Sequence, residues 1–435
     1  MSQLRPTPSV LAIAGRLEEA GYEAWCVGGA IRDAMLGGAP LDWDIATSAR
    51  PEAVVELFGR KRTIPVGIEF GTVCVLDPAG VGHEITTFRR DVKTDGRHAV
   101  VEFGASLDDD LARRDFTINA IAFRPRTGEL RDPFGGRNDL ALRVIRAVGD
   151  ADARMREDRL RALRGIRFAA RFGFALEPET LRAVRTSAPH LTRLSAERVQ
   201  QEITKVMAQV DYPSRAFVLW RDLGAFSALV PSLADMSDVA LATLDGLRRE
   251  GNAARAAGDR AANRLAALFL DVGAATVGPA LTALRFPKHE IRWTTSLGSA
   301  WHLVSADMAA ALMDGPPTDE QVRRWLSVIG RSHAGGFMRI ALARWTAARA
   351  AGHPAPLPPA IRALHARFTR TRLSAALELA DLAVDGDTLR AAGIPPGPLY
   401  AKILHSLLDR VLATPSLNTE PALMAEVPKI VATIG

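Results

Sequence analysis

The sequence predicts an α+β fold, with a mixed sheet-and-helix domain over roughly the first 140 residues and helices for the rest. Two observations carry this. Up to about residue 140, short β-branched or aromatic runs alternate with helical patterns and glycine turns. From about Asp150 the apolar period becomes 3.6 and stays there.

Taken in order, an amphipathic helix from Val10 to Ala20 is closed by Gly21, as a C-terminal glycine predicts. Strands are expected at Glu23 to Val27, Trp43 to Thr47, Thr72 to Leu76, His83 to Thr87 and Val100 to Phe103, with helices at Ala30 to Leu36 and Glu52 to Phe58. Arg89 to His98 is polar and short of apolar anchors, and reads as a mobile surface loop. Beyond Asp150, helices are expected at Asp152 to Ala170, Pro178 to Ala188 and Ala196 to Ala208. Four prolines between His353 and Pro359 mark the clearest later break. No fixed-period repeat is present.

A chain of 435 residues, 48% apolar and with a formal charge of +6, is neither disordered nor collagen-like and has room for two to four domains. No apolar run approaches the ~20 residues of a bilayer-spanning helix, so no membrane partner is expected. The stretch Val10 to Ala14, closed by Arg16, does not read as a signal peptide. Cys26 and Cys74 sit in strand-like apolar runs, which suits a cytoplasmic, reducing setting. The positive charge is local. Arg113 to Arg171 contains 15 Arg, no Lys and 8 acidic residues, and the remainder is close to neutral. Arginine's planar fork matches phosphate oxygens and base edges, so the clustering points to nucleotides or nucleic acid.

Val27-Gly28-Gly29-Ala30-Ile31-Arg32-Asp33 joins a strand to a helix through two glycines. Such a turn lets backbone N–H groups approach a phosphate, and Arg32 in the first helical turn reaches the same anion; the segment also fits ordinary turn punctuation. In Asp42-Trp43-Asp44 the two carboxylates fall on one face of a strand. Two carboxylates that close repel one another unless a cation lies between them, and their hard oxygens suit Mg²⁺; a solvated edge strand gives the same pattern. A phosphate-gripping turn followed at short range by an Asp pair is what nucleotidyl transfer requires, and Glu84 is the candidate third carboxylate, a position that fits a solvent-facing strand residue at least as well.

These residues continue, in order, with Arg113-Arg114-Asp115-Phe116-Thr117-Ile118-Asn119-Ala120, Asp132-Pro133-Phe134-Gly135-Gly136, and Glu157-Asp158 with Arg161, Arg164 and Arg167. The series resembles the class II tRNA nucleotidyltransferase and bacterial poly(A) polymerase family, over about residues 25 to 207. The resemblance implies a polymerase-β-like nucleotidyltransferase head at 1–142, a helical neck at 143–208 that reads the base, a helical body at 209–352 and a helical tail at 353–435 that binds tRNA. It assigns Asp42 and Asp44 to catalysis and Mg²⁺. Gly28, Gly29, Arg32, Arg114, Asp115, Asn119, Asp158, Arg161, Arg164 and Arg167 are assigned to the nucleotide. The implied reaction adds C, C and A to the 3′ end of tRNA from CTP and ATP; the motifs do not separate this from a poly(A)-adding or partial-triplet enzyme, whereas an RNA-binding protein on an inactive head is disfavoured by the presence of Asp42, Asp44, Arg114 and Asp158.

Asp158, Arg161, Arg164 and Arg167 step by three and are expected as one row on a single helix. Cytosine and adenine each present an amino donor beside a ring-nitrogen acceptor, so an Asp that accepts and an Arg that donates serve both and mismatch guanine and uracil. Arg193-Leu194-Ser195-Ala196-Glu197-Arg198 resembles the motif opening the next helix and reads as structural bracing. Some relatives carry a His-Asp phosphohydrolase domain. The run Leu268-Phe269-Leu270-Asp271 lacks the histidine, and no second metal-dependent activity is expected.

Overall fold

The computed structural model describes residues 4–40, 42–94, 99–247 and 254–434. Two compact units are present, one of residues 1–202 with 219–231 and the other of 203–218 with 232–435.

The first unit begins with helix α1 (Pro8–Glu19), whose N-cap Thr7 accepts the Val10 N–H and whose N1 residue is Pro8, both standard helix-start chemistry. Strand β1 (Ala24–Val27), helix α2 (Gly29–Met35), strand β2 (Asp44–Thr47) and helix α3 (Pro51–Phe58) follow, then strands β3 (Thr63–Gly67), β4 (Thr72–Leu76) and β5 (Gly82–Thr87). After strands β6 (Arg89–Thr94) and β7 (Ala99–Phe103) come helix α4 (Leu107–Ala112), strands β8 (Ala122–Phe123) and β9 (Leu130–Arg131), and helix α5 (Gly136–Leu142). The seven-stranded sheet runs β3-β4-β5-β2-β1-β8-β9, and only β2 and β5 are parallel. Central β1 is buried throughout, with Trp25 and Val27 packed in a cluster with Phe88, Leu107, Leu111 and Val148.

Arg89 to Thr94 is not a loop. It is β6, paired antiparallel with β7 in a separate two-stranded ribbon with Arg90 opposite Glu102, the two joined by an ion pair of 2.8 Å. Ladder hydrogen bonds satisfy this backbone without the apolar anchors that a sequence reading looks for. Asp95, Gly96, Arg97 and His98 of the expected loop lie outside the described residues.

The expected helix from Asp152 to Ala170 is two helices, α6 (Ala151–Glu157) and α7 (Leu160–Phe172). Asp158 is extended (φ −146°, ψ 107°) and its Oδ1 accepts the Leu160 N–H at 3.0 Å. A short carboxylate that serves its neighbour's N–H offers the chain an alternative to continuing the helix. Helices α8 (Pro178–Ser187) and α9 (Ala196–Gln209) follow, and helices continue to Ile434, with the break expected near His353 lying between Ala334–Ala350 and Pro358–Ser374. In the second unit, the last helices share a core of Val384, Leu389, Ile403, Leu407, Val411 and Leu423. No helix of the described residues is long and apolar enough to cross a membrane.

The Asp132 to Gly136 motif is an assembly device. Asp132 accepts the N–H groups of Gly136 and Arg137, starting α5, and a Cβ on Gly136 would lie 2.2 Å from the Thr117 carbonyl oxygen. Only glycine lets α5 approach the Thr117–Asn119 turn this closely. Gly136→Ala is expected to destabilise the chain by about 1–3 kcal/mol, the usual cost of overpacking, read as a lower midpoint in thermal unfolding.

Candidate active site

β1 and β2 pair with Val27 opposite Asp44, which sets the Asp44 carboxylate beside the Gly28-Gly29 turn. Gly28 has φ +75°, and a side chain there would meet Arg114 Nη1 at 3.0 Å, so the turn requires glycine for its conformation and for its contact. Arg32, buried in the first turns of α2, donates from Nη1 to Asn119 Oδ1 at 2.6 Å and from Nε to Asp33. Its guanidinium lies over the rings of Phe168 and Phe172, 5.1 and 4.8 Å from their centroids.

The segment after α4 turns on Asp115. Its Oδ1 accepts the Phe116 N–H and Asn119 Nδ2, each at 2.9 Å, and its Oδ2 accepts Arg164 Nε at 2.8 Å. Burial by itself raises the Asp115 carboxyl, but the Arg164 guanidinium and the hydrogen bonds from Asn119 and the Phe116 N–H hold it below the usual carboxylate range. Beside it, Arg114 and Arg113 pair with buried Asp110 at 3.1 and 2.7 Å.

At the α6–α7 break, Asp158 Oδ2 accepts Arg198 Nη2 at 2.6 Å. Arg161 donates from Nη1 to Glu157 Oε2 at 2.6 Å and from Nη2 to the Arg113 carbonyl at 3.0 Å. Gly28, Gly29, Arg32 and Asp44 thus face Arg114, Asp115, Asn119, Asp158, Arg161 and Arg164 across a cleft of about 470 Å³, whose wall Arg113 and Phe168 complete.

The expected residues divide into three groups. Those just named line one cavity. Asp42, exposed just before β2, and Glu84, on β5 next to β2, lie outside the wall but act on Asp44. Burial, then the charges of Asp42 and Glu84, push the Asp44 carboxyl up to about 6 against the opposing pull of Arg114. Among the described residues no three His, Cys, Asp or Glu side chains gather closely enough to hold a metal ion by themselves. Arg167 faces away from the cleft in a buried pair with Glu202 at 2.7 Å.

The row expected on one helix is corrected as well. Asp158 sits in the break before α7, so only the arginines share a helix. The Arg-rich stretch is also more structural than its composition suggests. Of its 15 arginines, only Arg113, Arg114, Arg161 and Arg164 border the cleft, while Arg131, Arg146 and Arg167 hold Asp108, Asp139 and Glu202. Sequence reasoning missed Phe168, four residues after Arg164 and therefore on its helix face, and Arg198, taken as bracing in general although it grips Asp158.

A mixed sheet that sets the Asp44 carboxylate, with Asp42 two residues before it, beside a Gly-Gly turn and opposite an arginine-lined helix defines a nucleotidyltransferase, and comparison with known proteins agrees. The family model for the poly A polymerase head domain matches residues 24–146, and that for the probable RNA and SrmB-binding site of polymerase A matches residues 173–237. The chain is 35% identical over 423 residues to the CCA-adding enzyme of Geobacillus kaustophilus strain HTA426, covering 97% of this chain and 96% of that protein. It is 44% identical over 235 residues to the CCA-adding enzyme of Geobacillus stearothermophilus, covering 53% and 56%. The crystal structure of the Bacillus stearothermophilus CCA-adding enzyme in complex with CTP matches with a TM-score of 0.73 at 31% identity, covering 98% of each chain. The chain belongs to the class II CCA-adding enzyme family.

Asp115 supplies a test of the site's architecture. Its folded pKa lies below the unfolded value, so its contribution to stability is present above about pH 4 and is lost as pH falls through the folded pKa. Asp115→Asn is expected to lower stability at pH 7 and to flatten the acid limb of the stability profile measured by urea unfolding between about pH 2 and 5. An acid limb as steep as the parent's would show that Asp115 does not carry this linkage.

Proposed function

We propose that this chain, in the cytoplasm, adds C, C and A to the 3′ end of tRNA from CTP and ATP with release of pyrophosphate. The observation that carries this reading is the single cleft in which Asp44, the guanidiniums of Arg32 and Arg114, and the pair Asp158 and Arg161 face one another. Gly28 and Gly29 offer backbone close to a phosphate, and Arg114 can pair with its oxygens. Asn119 keeps a second Nδ2 N–H for a ribose hydroxyl while its first holds Asp115.

Asp42 and Asp44 form a hard-oxygen donor set; burial and then the Asp42 charge raise the Asp44 carboxyl, a divalent cation would relieve both, and these residues fit Mg²⁺, with Glu84 as a candidate third carboxylate. Held by Asp42 and Asp44, Mg²⁺ would supply charge neutralisation for the triphosphate and a lowered pKa for the attacking 3′ hydroxyl.

Base choice rests on the protein. Asp158 accepts from Leu160 and Arg198 but retains lone pairs for an exocyclic amino group, and the guanidinium of Arg161 has N–H donors beyond those given to Glu157, Arg154 and Arg113. Guanine and uracil would set carbonyl against carboxylate and leave buried groups unpaired, a mismatch that costs several orders of magnitude in discrimination at a site built for hydrogen bonding.

Incubation with tRNA lacking its 3′ triplet, Mg²⁺ and each labelled triphosphate is expected to give two C and one A; long tails of A alone would replace this reading with poly(A) addition. Asp42→Ala should abolish transfer while tRNA retention on a filter stays near the parent level. Asp158→Ala should lose most of the preference for CTP and ATP over UTP, measured as a ratio of kcat/KM values, and an unchanged ratio removes Asp158 from base reading.

A further inference from the structure

The second unit contains its own cleft, of about 380 Å³, bordered by the helices Lys288–Asp314, Ala334–Ala350 and Pro358–Ser374. Two guanidiniums, Arg339 and Arg372, and the His365 imidazole line it, and no carboxylate does. Neighbouring arginines are neutralised: Arg331 by Asp381 at 2.6 Å, Arg344 by Asp271 at 2.8 Å and Arg367 by Asp319 at 2.6 Å. Arg339 and Arg372 have no carboxylate partner among the described residues. Arg372 reaches only the Arg331 carbonyl, at 3.5 Å, and its Nε is buried without an acceptor. Arg339 is exposed at the mouth of the cleft, and the buried Arg372 Nε donor is costly without a matching acceptor.

The backbone adds donors at the same place. Ala334 N–H goes to the Gly330 carbonyl and Phe337 N–H to that of His333. Between them, the N–H groups of Gly335 and Gly336 meet no carbonyl among the described residues, and both glycines line the cleft. Gly336 has no room for a side chain, since a Cβ would lie 2.7 Å from the Trp293 ring and 2.8 Å from Asn263 Oδ1; this draws the helix start against the indole. Trp293 is held by its Nε1 donating to Asn263 and by His333, whose ring centre lies 4.8 Å away. Gly335, by contrast, faces open space.

We propose that this cleft binds a phosphate ester, with Arg339, Arg372 and the Gly335 and Gly336 amides on the phosphoryl oxygens and Trp293 beside the attached nucleoside. Forked guanidiniums and helix-start amides are complementary to phosphate, and the cleft is larger than a bare phosphate and of a size that small-molecule sites use. An RNA backbone and a free mononucleotide share this chemistry. The RNA source rests on the tRNA reading above; the mononucleotide source does not.

The test uses the full chain, an Arg339→Gln/Arg372→Gln variant and Gly335→Asp. The last places a negative charge in open space at a helix start, where an acidic residue supports the helix, so misfolding does not explain its effect. Adenosine 5′-monophosphate is titrated by calorimetry, and tRNA lacking its 3′ triplet is bound at about 50 to 200 mM salt. An RNA phosphate in the cleft predicts several-fold weaker tRNA binding in both variants and a slope of log affinity against log salt shallower by about 0.7–0.9 per lost contact. A free nucleotide predicts two adenylate sites in the parent and one in both variants, with tRNA binding unchanged. Parent-like behaviour in both assays overturns the proposal, as does loss confined to the double variant, which would assign the effect to packing. Failure of the parent itself to add the triplet overturns the catalytic reading and leaves the adenylate titration valid.

Discussion

The cleft of the first unit depends on one buried carboxylate. Asp115 holds Arg164 of α7 on one oxygen and Asn119 on the other, and Asn119 in turn holds Arg32 of α2. Three segments far apart in sequence are thereby tied at one point, and the aromatic face of α7 closes the tie by stacking Phe168 and Phe172 on Arg32. Breaking a half-buried, hydrogen-bonded ion pair from one side strands its partner, so each member constrains the others. The same chain orients two cationic groups toward the cavity without spending them on solvent.

This arrangement explains how a chain with so many arginines keeps an ordered cleft. Most arginines between Arg113 and Arg171 pair with acids, and the four that border the cleft do so too, with Asp110, Glu157 and Asp115 fixing where they point. Asp110 shows the balance: burial alone would raise its carboxyl, but Arg114 and Arg113 hold it below the usual range, and it holds both of them. Selectivity toward a base needs such fixed partners, because a mismatch is costly only if the groups it strands cannot rotate away.

Much of this was legible from residues alone. The Gly28-Gly29 turn, the Asp42 and Asp44 pair and the Arg114, Asp115, Asn119 series are local patterns with local causes, and they do converge on one cavity apart from Asp42, which stands just outside it. The strands carrying Cys26 and Cys74 were found for the same reason, an apolar run of strand length. The misses are non-local. Strand β6 has no apolar anchor and exists because β7 pairs with it, so periodicity is blind to it. The break at Asp158 is invisible to a count of apolar spacing, since a side chain that captures the Leu160 N–H changes the backbone without changing the pattern.

By itself, then, the sequence determined the α+β division, the order of the motifs and most of the residues that line the cleft, because turn glycines, strand alternation and helical period act over a few neighbours. Tertiary structure decided which arginines serve the site and which serve the scaffold. Arg164 and Arg167 lie three residues apart on one helix, yet one meets Asp115 at the cleft and the other is buried against Glu202. Arg198, read as bracing, acquires its specific task only when α9 brings it within 2.6 Å of Asp158. A guanidinium's role is set by the carboxylate it meets, and that partner can be dozens of residues away.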